Sequence, residues 1–122
     1  MTGKEGILRY MAVAHDEILK QVRIPIDMGA IEVFCRKWNV REFALFGSVL
    51  RDDFRPDSDV DVLVTFEESA HPTLLSLIRM QDELESVLQR KVDLLERGGL
   101  EQSTNPYIKV PVLASLKVIY AR

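Results

Sequence analysis

Apolar residues recur along this chain with two different periods. Spacings of three and four residues are typical of amphipathic helices, whereas short apolar or alternating runs bounded by turn residues are typical of strands. Asp27 and Thr73 are suitable N-terminal helix caps, and Asn39 is a suitable C-terminal stop. The predicted elements are, in chain order, helix 4–22, helix 28–38, strand 40–46, a short helical turn at 48–53, strand 59–66, helix 73–90, strand 91–96, a turn at 98–99, an irregular or short helical stretch at 100–104 and a terminal helix from 105 to about 120.

The same pattern predicts which side of each element is buried. Strand 59–66 is apolar on both faces beyond Asp61, so we expect it in the middle of a sheet, with its valines opposite the aspartate. Helix 73–90 turns an apolar stripe to the core and carries Glu83 and Glu85 on its outer side. With 122 residues, 47% of them hydrophobic, the chain has enough apolar side chains for a domain core.

The first 23 residues are predicted to form a unit of their own. Residues 1–23 would be an amphipathic N-terminal helix, followed by a domain at residues 24–122. The helix should end at Ile24-Pro25, because a proline disfavours helix in the residue before it. Two roles stay open for this helix: it lies on the domain, or it serves self-association into a homo-oligomer or binding to a partner.

Charge and cysteine content narrow the classes of function. The formal net charge is -3 and the pI is near 5.4. We therefore expect no direct nucleic-acid binding, although Arg51 and Arg55 are compatible with a local basic cleft. The chain has no long uncharged apolar run, so we expect neither a signal peptide nor a membrane span. The single cysteine, Cys35, cannot form an internal disulfide, which favours a packing role and a cytoplasmic location.

Gly47 and Ser48 follow the first predicted strand and mark a sharp turn into a short helix. Glycine can adopt backbone angles that a side chain would forbid, which suits a tight exit from a strand. Ser48 lies where a helix N-cap is expected, and backbone N–H groups at such a position attract phosphate. Taken alone, however, a Gly-Ser pair after a strand is commonly just a turn.

Asp59 and Asp61 open the next predicted strand. They are two residues apart, so both carboxylates point to the same face of the strand. Two carboxylates aimed at one point repel each other unless a proton or a cation lies between them. Oxygen-only ligands favour Mg²⁺, which usually binds through one or two carboxylates together with substrate phosphates. The structural alternative is a solvated strand end.

Asp93 lies inside the apolar strand 91–96, where an unpaired charge is costly to bury. If this strand pairs with strand 59–66, Asp93 faces the same place as the other two aspartates. Three carboxylates could then hold one or two Mg²⁺ ions for an in-line displacement. The electrophile would be the α-phosphorus of a nucleoside triphosphate, and pyrophosphate would leave.

The remaining residues complete a candidate site for nucleotidyl transfer. Gly47 and Ser48 would hold the β- and γ-phosphates, and Arg51, one turn into the short helix, would neutralise the same oxygens. Asp93 would help to remove a proton from an incoming hydroxyl. Each residue also has a structural explanation, as a turn, a surface charge or a loop cap, but their order along the chain fits one mechanism.

The stretch from Gly47 to Asp61 resembles the signature of the minimal nucleotidyltransferases (MNT) of the DNA polymerase beta superfamily. It contains Gly-Ser, ten further residues and Asp-Val-Asp, and Arg51 matches the arginine of the GSxxR form. The resemblance covers roughly residues 24–120, including the NPY…VIY ending. It implies an α+β nucleotidyltransferase fold, a mixed β-sheet with helices mainly on one face. It also implies that the catalytic and metal-binding residues are Asp59, Asp61 and Asp93 and that the ATP-binding residues are Gly47, Ser48 and Arg51.

Small prokaryotic members of this family usually accompany a HEPN-domain protein as a toxin–antitoxin pair. The resemblance therefore implies an Mg²⁺-dependent antitoxin that transfers AMP from ATP to a tyrosine of its cognate HEPN ribonuclease toxin. Two alternatives stay open. The antitoxin could neutralise its partner by binding alone, or the chain could be a nucleotidyltransferase that acts on the hydroxyl of a small molecule.

Overall fold

The computed structural model describes residues 18–122, except for the side chains of Pro106 and Ile108. Up to residue 96, helices and strands follow the order that the sequence pattern predicts. The described elements are, in chain order, helix α1 (Met28–Trp38), strand β1 (Val40–Phe46), a 3-10 turn (Gly47–Leu50), strand β2 (Val60–Phe66), helix α2 (Leu74–Leu88), strand β3 (Val92–Glu96), helix α3 (Arg97–Glu101), helix α4 (Pro106–Ser115) and strand β4 (Lys117–Ala121).

Most of the N-terminal helix predicted at residues 4–22 lies outside the described residues. Within them, residues 18–21 are helical, and Val22 and Ile24 behind them are buried in the main core. The division of the chain at residue 23, and the role of the first helix in self-association, stay predictions.

The four strands form one mixed sheet in the order β3-β2-β1-β4. β1 is antiparallel to both β2 and β4, whereas β2 is parallel to β3. β2 therefore lies inside the sheet, as its two apolar faces predict. The α+β class and the mixed sheet that the resemblance implies are confirmed.

The two faces of the sheet carry separate apolar clusters. On one face, Phe43 and Leu45 of β1 and the valines of β2 pack against α1 and α2. We call this the helical face. The opposite face is called the aspartate face, because Asp61 alternates with the valines along β2 and therefore points to it. The buried residues of the second cluster, which includes α3 and α4, are Ala44, Phe46, Leu63, Leu100 and Val112.

α1 and α2 begin where their capping residues predict. Asp27 accepts a hydrogen bond from the backbone N–H of Ala30 at 3.2 Å, and Thr73 accepts one from that of Ser76 at 3.1 Å. Asn39 ends α1 in the left-handed conformation, with φ of 57°. Across residues 18–122, no helix combines the length and the apolar composition needed to cross a bilayer.

Cys35 of α1 is buried in the main core. Burial raises the pKa of its thiol to about 12, against a smaller lowering by Arg122. The thiol is therefore protonated at neutral pH and acts as an apolar packing group, as the sequence predicts.

The C-terminal segment differs from its predicted structure. The pattern predicts a helix to about residue 120, but α4 ends at Ser115 and residues 117–121 form β4. Leu116 leaves the helical region, with φ of −59° and ψ of 136°. The segment is rich in β-branched and aromatic residues, which favour a strand once the free edge of β1 is available for pairing.

Two other predictions are also wrong. Gly98 and Gly99 are predicted as a turn but lie inside α3, because Glu96 caps this helix by accepting a hydrogen bond from the N–H of Gly99 at 2.7 Å. Glu83 and Glu85 are predicted on the outer side of α2 but are half-buried. Their partners are the indole N–H of Trp38 for Glu83 (2.9 Å) and the backbone N–H of Val92 for Glu85 (2.9 Å).

Candidate active site

The chain turns sharply at Gly47, directly after β1. Gly47 has φ of +75°, a conformation that residues with a side chain rarely adopt. A Cβ at this position would overlap Oδ2 of Asp61 and would lie 3.3 Å from its Cγ. Position 47 thus needs glycine for two independent reasons, and its backbone lies directly against the Asp61 carboxylate.

Ser48 is the second residue of the 3-10 turn, not the N-cap that the sequence predicts. The turn begins at Gly47, and the flanking residue is Phe46, which has no side-chain acceptor. The carbonyl of Ser48 accepts a hydrogen bond from the N–H of Arg51 at 2.9 Å. The first N–H groups of a helical turn have no partner within the turn, so this bend presents backbone donors beside Asp61.

The structure brings Asp61 and Asp93 to paired positions on the neighbouring strands β2 and β3. Paired residues of parallel strands share a face, so both carboxylates lie on the aspartate face of the sheet. Asp59 directly precedes β2, which begins at Val60 rather than at residue 59. It is two positions before Asp61, and its negative charge acts on that residue, so the three carboxylates are neighbours.

The pKa of Asp61 is raised above its ordinary value. Burial is the largest cause, followed by the negative charges of Asp93 and Asp59, while Arg51 lowers the pKa. Half-burial and two like-charged neighbours both disfavour the ionised carboxylate. A cation placed among these oxygens would remove both penalties.

Arg51 lies directly after the 3-10 turn, in extended conformation, and not inside a helix that continues to residue 53. Its side chain is exposed, and Nε donates to Oδ1 of Asp53 at 3.0 Å. This hydrogen bond holds the pKa of Asp53 below its ordinary value. Exposed ion pairs contribute little to stability, so Arg51 can exchange Asp53 for a phosphate at small cost.

Residues 54–58, which we call the aspartate loop, lead into Asp59 and are held by contacts of Ser58 and Arg90. The hydroxyl of Ser58 accepts a hydrogen bond from the N–H of Arg55 at 3.0 Å, and the N–H of Ser58 donates to the carbonyl of Arg55 at 3.0 Å. Arg90, predicted only as the end of a helix, contacts the same loop. No local sequence signal predicts this contact, because the residues are more than thirty positions apart.

The candidate site offers a particular set of donor atoms to a metal ion. Within residues 18–122, no three His, Cys, Asp or Glu side chains are arranged to hold a metal by themselves. Mg²⁺ does not require such a cage, since it binds through one or two carboxylates, waters and substrate phosphates. The aspartates offer only oxygen donors. Because Gly47 has no Cβ, no side chain at that position covers Oδ2 of Asp61. These residues therefore fit an Mg²⁺ ion that arrives with a nucleotide.

Comparison with known proteins identifies the family. The model of the family described as "Nucleotidyltransferase domain" matches residues 28–119. A relative from Thermococcus cleftensis named "Protein adenylyltransferase MntA" is 43% identical over 65 residues. That match covers 53% of this chain and 64% of the relative's length.

Solved structures have the same fold. A chain of a toxin–antitoxin complex with AMP-PNP aligns with a TM-score of 0.61 and 19% identity, covering 80% of this chain and 75% of that chain. A chain from the complex of the tri-AMPylated Shewanella oneidensis HEPN toxin with MNT antitoxin aligns with a TM-score of 0.54 and 20% identity, covering 77% and 69%. Together with the family match, these observations show that the chain belongs to the nucleotidyltransferase domain family.

Proposed function

We propose that this chain is an antitoxin that transfers AMP from ATP to a tyrosine of its cognate HEPN ribonuclease toxin, with Mg²⁺ as cofactor. The observation that carries the proposal is the pairing of Asp61 with Asp93 beside the turn at Gly47. The names of the relatives support it: one is a protein adenylyltransferase, and one matched complex contains an AMPylated HEPN toxin with its MNT antitoxin.

In this mechanism the triphosphate binds at the turn after β1. Backbone N–H groups of the 3-10 turn and the hydroxyl of Ser48 bind the β- and γ-phosphates, and Arg51 exchanges Asp53 for a phosphate oxygen. Asp59 and Asp61 would hold Mg²⁺, with Asp93 completing the ligand set. When bound, the metal ion supplies Lewis-acid stabilisation of the charge that develops on the phosphates.

The transfer is one in-line displacement at the α-phosphorus of ATP. The phenolic oxygen of the acceptor tyrosine forms the new P–O bond, while the bond from the α-phosphorus to the bridging oxygen breaks. Pyrophosphate leaves with the electron pair of that bond. Asp93, whose side chain is exposed on the aspartate face, accepts the phenolic proton. The products are O-AMP-tyrosine and pyrophosphate.

Labelled ATP tests the proposal. The chain is incubated with the HEPN partner, Mg²⁺ and ATP labelled at the α-phosphate, and the label is expected on a partner tyrosine. Because a catalytic metal contributes several kcal/mol, Asp61→Asn should reduce the rate about a hundredfold or more. Asp82→Asn, an exposed aspartate of α2, is the matched control and should keep the wild-type rate.

Two results would contradict the proposal. If Asp61→Asn labels the partner as fast as wild type does, Asp61 does not belong to the active site. Mass spectrometry that detects AMP on small molecules and none on the partner would favour the small-molecule acceptor instead.

A further inference from the structure

Arg90, which lies just after α2, contacts the backbone of the aspartate loop. Its Nη2 donates to three backbone carbonyl oxygens, those of Arg55 at 2.7 Å, Pro56 at 2.9 Å and Ser58 at 3.0 Å. The guanidinium carbon also lies 4.4 Å from the ring centroid of Phe54, which is cation–π geometry. One side chain therefore contacts four of the five residues of the loop.

The same part of the chain also fixes the other side of Asp59. The backbone N–H of Val60 donates to the carbonyl of Lys91 at 2.9 Å, and Lys91 directly follows Arg90. Asp59 lies between Ser58, which Arg90 contacts, and Val60, which Lys91 contacts. Two consecutive residues thus hold the backbone on both sides of this aspartate.

Attraction between surface charges does not explain the position of the Arg90 side chain. Within the described residues, its Nε is a buried side-chain nitrogen without a hydrogen-bond partner. A buried donor of a charged group that lacks a partner is unfavourable. The contacts to the loop must outweigh this cost. They use the planar guanidinium both as a donor and as a stacking surface, which a lysine cannot reproduce.

We propose that Arg90 is a positioning residue for nucleotide binding. It holds the aspartate loop so that Asp59 and Asp61 are already placed when the magnesium nucleotide arrives. This inference rests on the proposed function, because it assigns to Arg90 a role in the same site. Arg90 itself contacts the loop backbone and is not assigned to the nucleotide.

Two measurements on the full chain test it. In hydrogen–deuterium exchange without nucleotide, Arg90→Ala should increase exchange of residues 53–61 about tenfold, with little change in β1. In calorimetric titration with AMP-PNP and MgCl₂, it should raise Kd about tenfold, the lower end of the range for residues that support a metal ligand. Arg79→Ala, an exposed arginine of α2, is the matched control and should change neither measurement.

Kinetics separate positioning from a general loss of structure. In the adenylylation assay, Arg90→Ala should raise KM for magnesium ATP about tenfold and leave KM for the acceptor protein unchanged. Arg90→Lys keeps the charge and loses the stack on Phe54, so its Kd should lie between those of wild type and Arg90→Ala. If Arg90→Ala does not fold, Arg90→Lys compared with wild type provides the test.

The inference is overturned if the Arg90 variant that folds binds AMP-PNP and Mg²⁺ as tightly as wild type. It is also overturned if exchange increases equally throughout the chain. Failure of the proposed function has a different signature. In that case the wild-type chain binds the nucleotide but labels no partner, while the effects of Arg90→Ala on loop exchange and Kd remain.

Discussion

Asp61 and Asp93 face each other across the parallel pairing of β2 and β3. Neighbouring strands are only about 4.8 Å apart, so two carboxylates at paired positions repel each other. The raised pKa of Asp61 is the consequence of burial first and of this closeness second. Such an arrangement opposes folding in the absence of a cation, and conflicts of this kind between local stability and side-chain choice are typical of functional sites.

Gly47→Ala should damage both folding and nucleotide binding. The added Cβ would overlap Oδ2 of Asp61, and alanine at φ of +75° costs about 1–2 kcal/mol of unfolding free energy. We expect that loss in urea denaturation, together with weaker binding of magnesium ATP in calorimetry. Gly99→Ala is the control, because its Cβ would meet Glu96 at an ordinary 3.6 Å. Equal effects of the two variants would contradict the close packing at Gly47.

Stability should depend on pH through Asp61. Its folded pKa is raised, while the unfolded value is about 3.9, so the native state binds this proton more tightly. The resulting destabilisation is absent below the unfolded pKa and complete above the folded pKa. In Mg²⁺-free buffer, the stability advantage of Asp61→Asn over wild type should therefore grow as the pH rises above the unfolded pKa of about 3.9, and it should become constant above the raised folded pKa.

Urea denaturation at several pH values measures this advantage directly. The variant is compared with wild type at each pH, so that the contributions of the other carboxylates to the pH dependence cancel. Asp82→Asn, which removes an exposed aspartate, should show a difference from wild type that does not change with pH. An advantage of Asp61→Asn that is the same at all pH values would exclude the raised pKa.

Magnesium ATP should stabilise the folded chain. A ligand at a hundred times its Kd adds about 2.7 kcal/mol to the free energy of unfolding, which raises Tm by several degrees. Removing Mg²⁺ with EDTA should abolish most of the shift, because in the proposed site the aspartates bind the nucleotide through the metal ion. The Asp59→Ala/Asp61→Ala double variant should show no shift in scanning calorimetry. A full shift in that variant would locate the nucleotide elsewhere.

The same double variant distinguishes enzymatic from purely physical neutralisation of the toxin. If AMP transfer silences the partner, the double variant should still bind it but should leave its ribonuclease activity intact. The readout is RNA cleavage by the partner after incubation with ATP and Mg²⁺. Full neutralisation by the double variant would favour an antitoxin that acts by binding alone.

Glu85 should be a stabilising residue, because Oε2 accepts the hydrogen bond of the Val92 N–H at the start of β3. Glu85→Ala leaves that N–H without its partner and should cost about 1–3 kcal/mol in urea denaturation. Glu85→Gln keeps an acceptor oxygen and should cost less. If both substitutions cost the same, the hydrogen bond is not the source of the stability.

Local features were predictable because their causes lie within a few residues. Asp27 and Thr73 start their helices through hydrogen bonds to N–H groups three positions later. Phe43 and Leu45 share the helical face because side chains alternate along a strand. The turn at Gly47 follows from the same kind of local reasoning.

Features that depend on distant partners were harder to predict. Residues 117–121 form a strand because β1 offers them a free edge, and Glu85 turns inward because β3 starts beside it. Arg90 contacts the aspartate loop only because α2 delivers the chain to that end of the sheet. The partner is seven positions away for Glu85 and more than thirty for Arg90 and for β4, so the periodicity within one helix or strand does not report it.

By itself, the sequence determined the glycine turn after β1 and the spacing of two between Asp59 and Asp61, which on an extended chain favours carboxylates on one side. Only the tertiary structure decided that Asp93 joins them, because this depends on β3 pairing with β2 in parallel and in one particular register. A shift of that register by one residue would turn Asp93 to the other face of the sheet, with no change in the sequence.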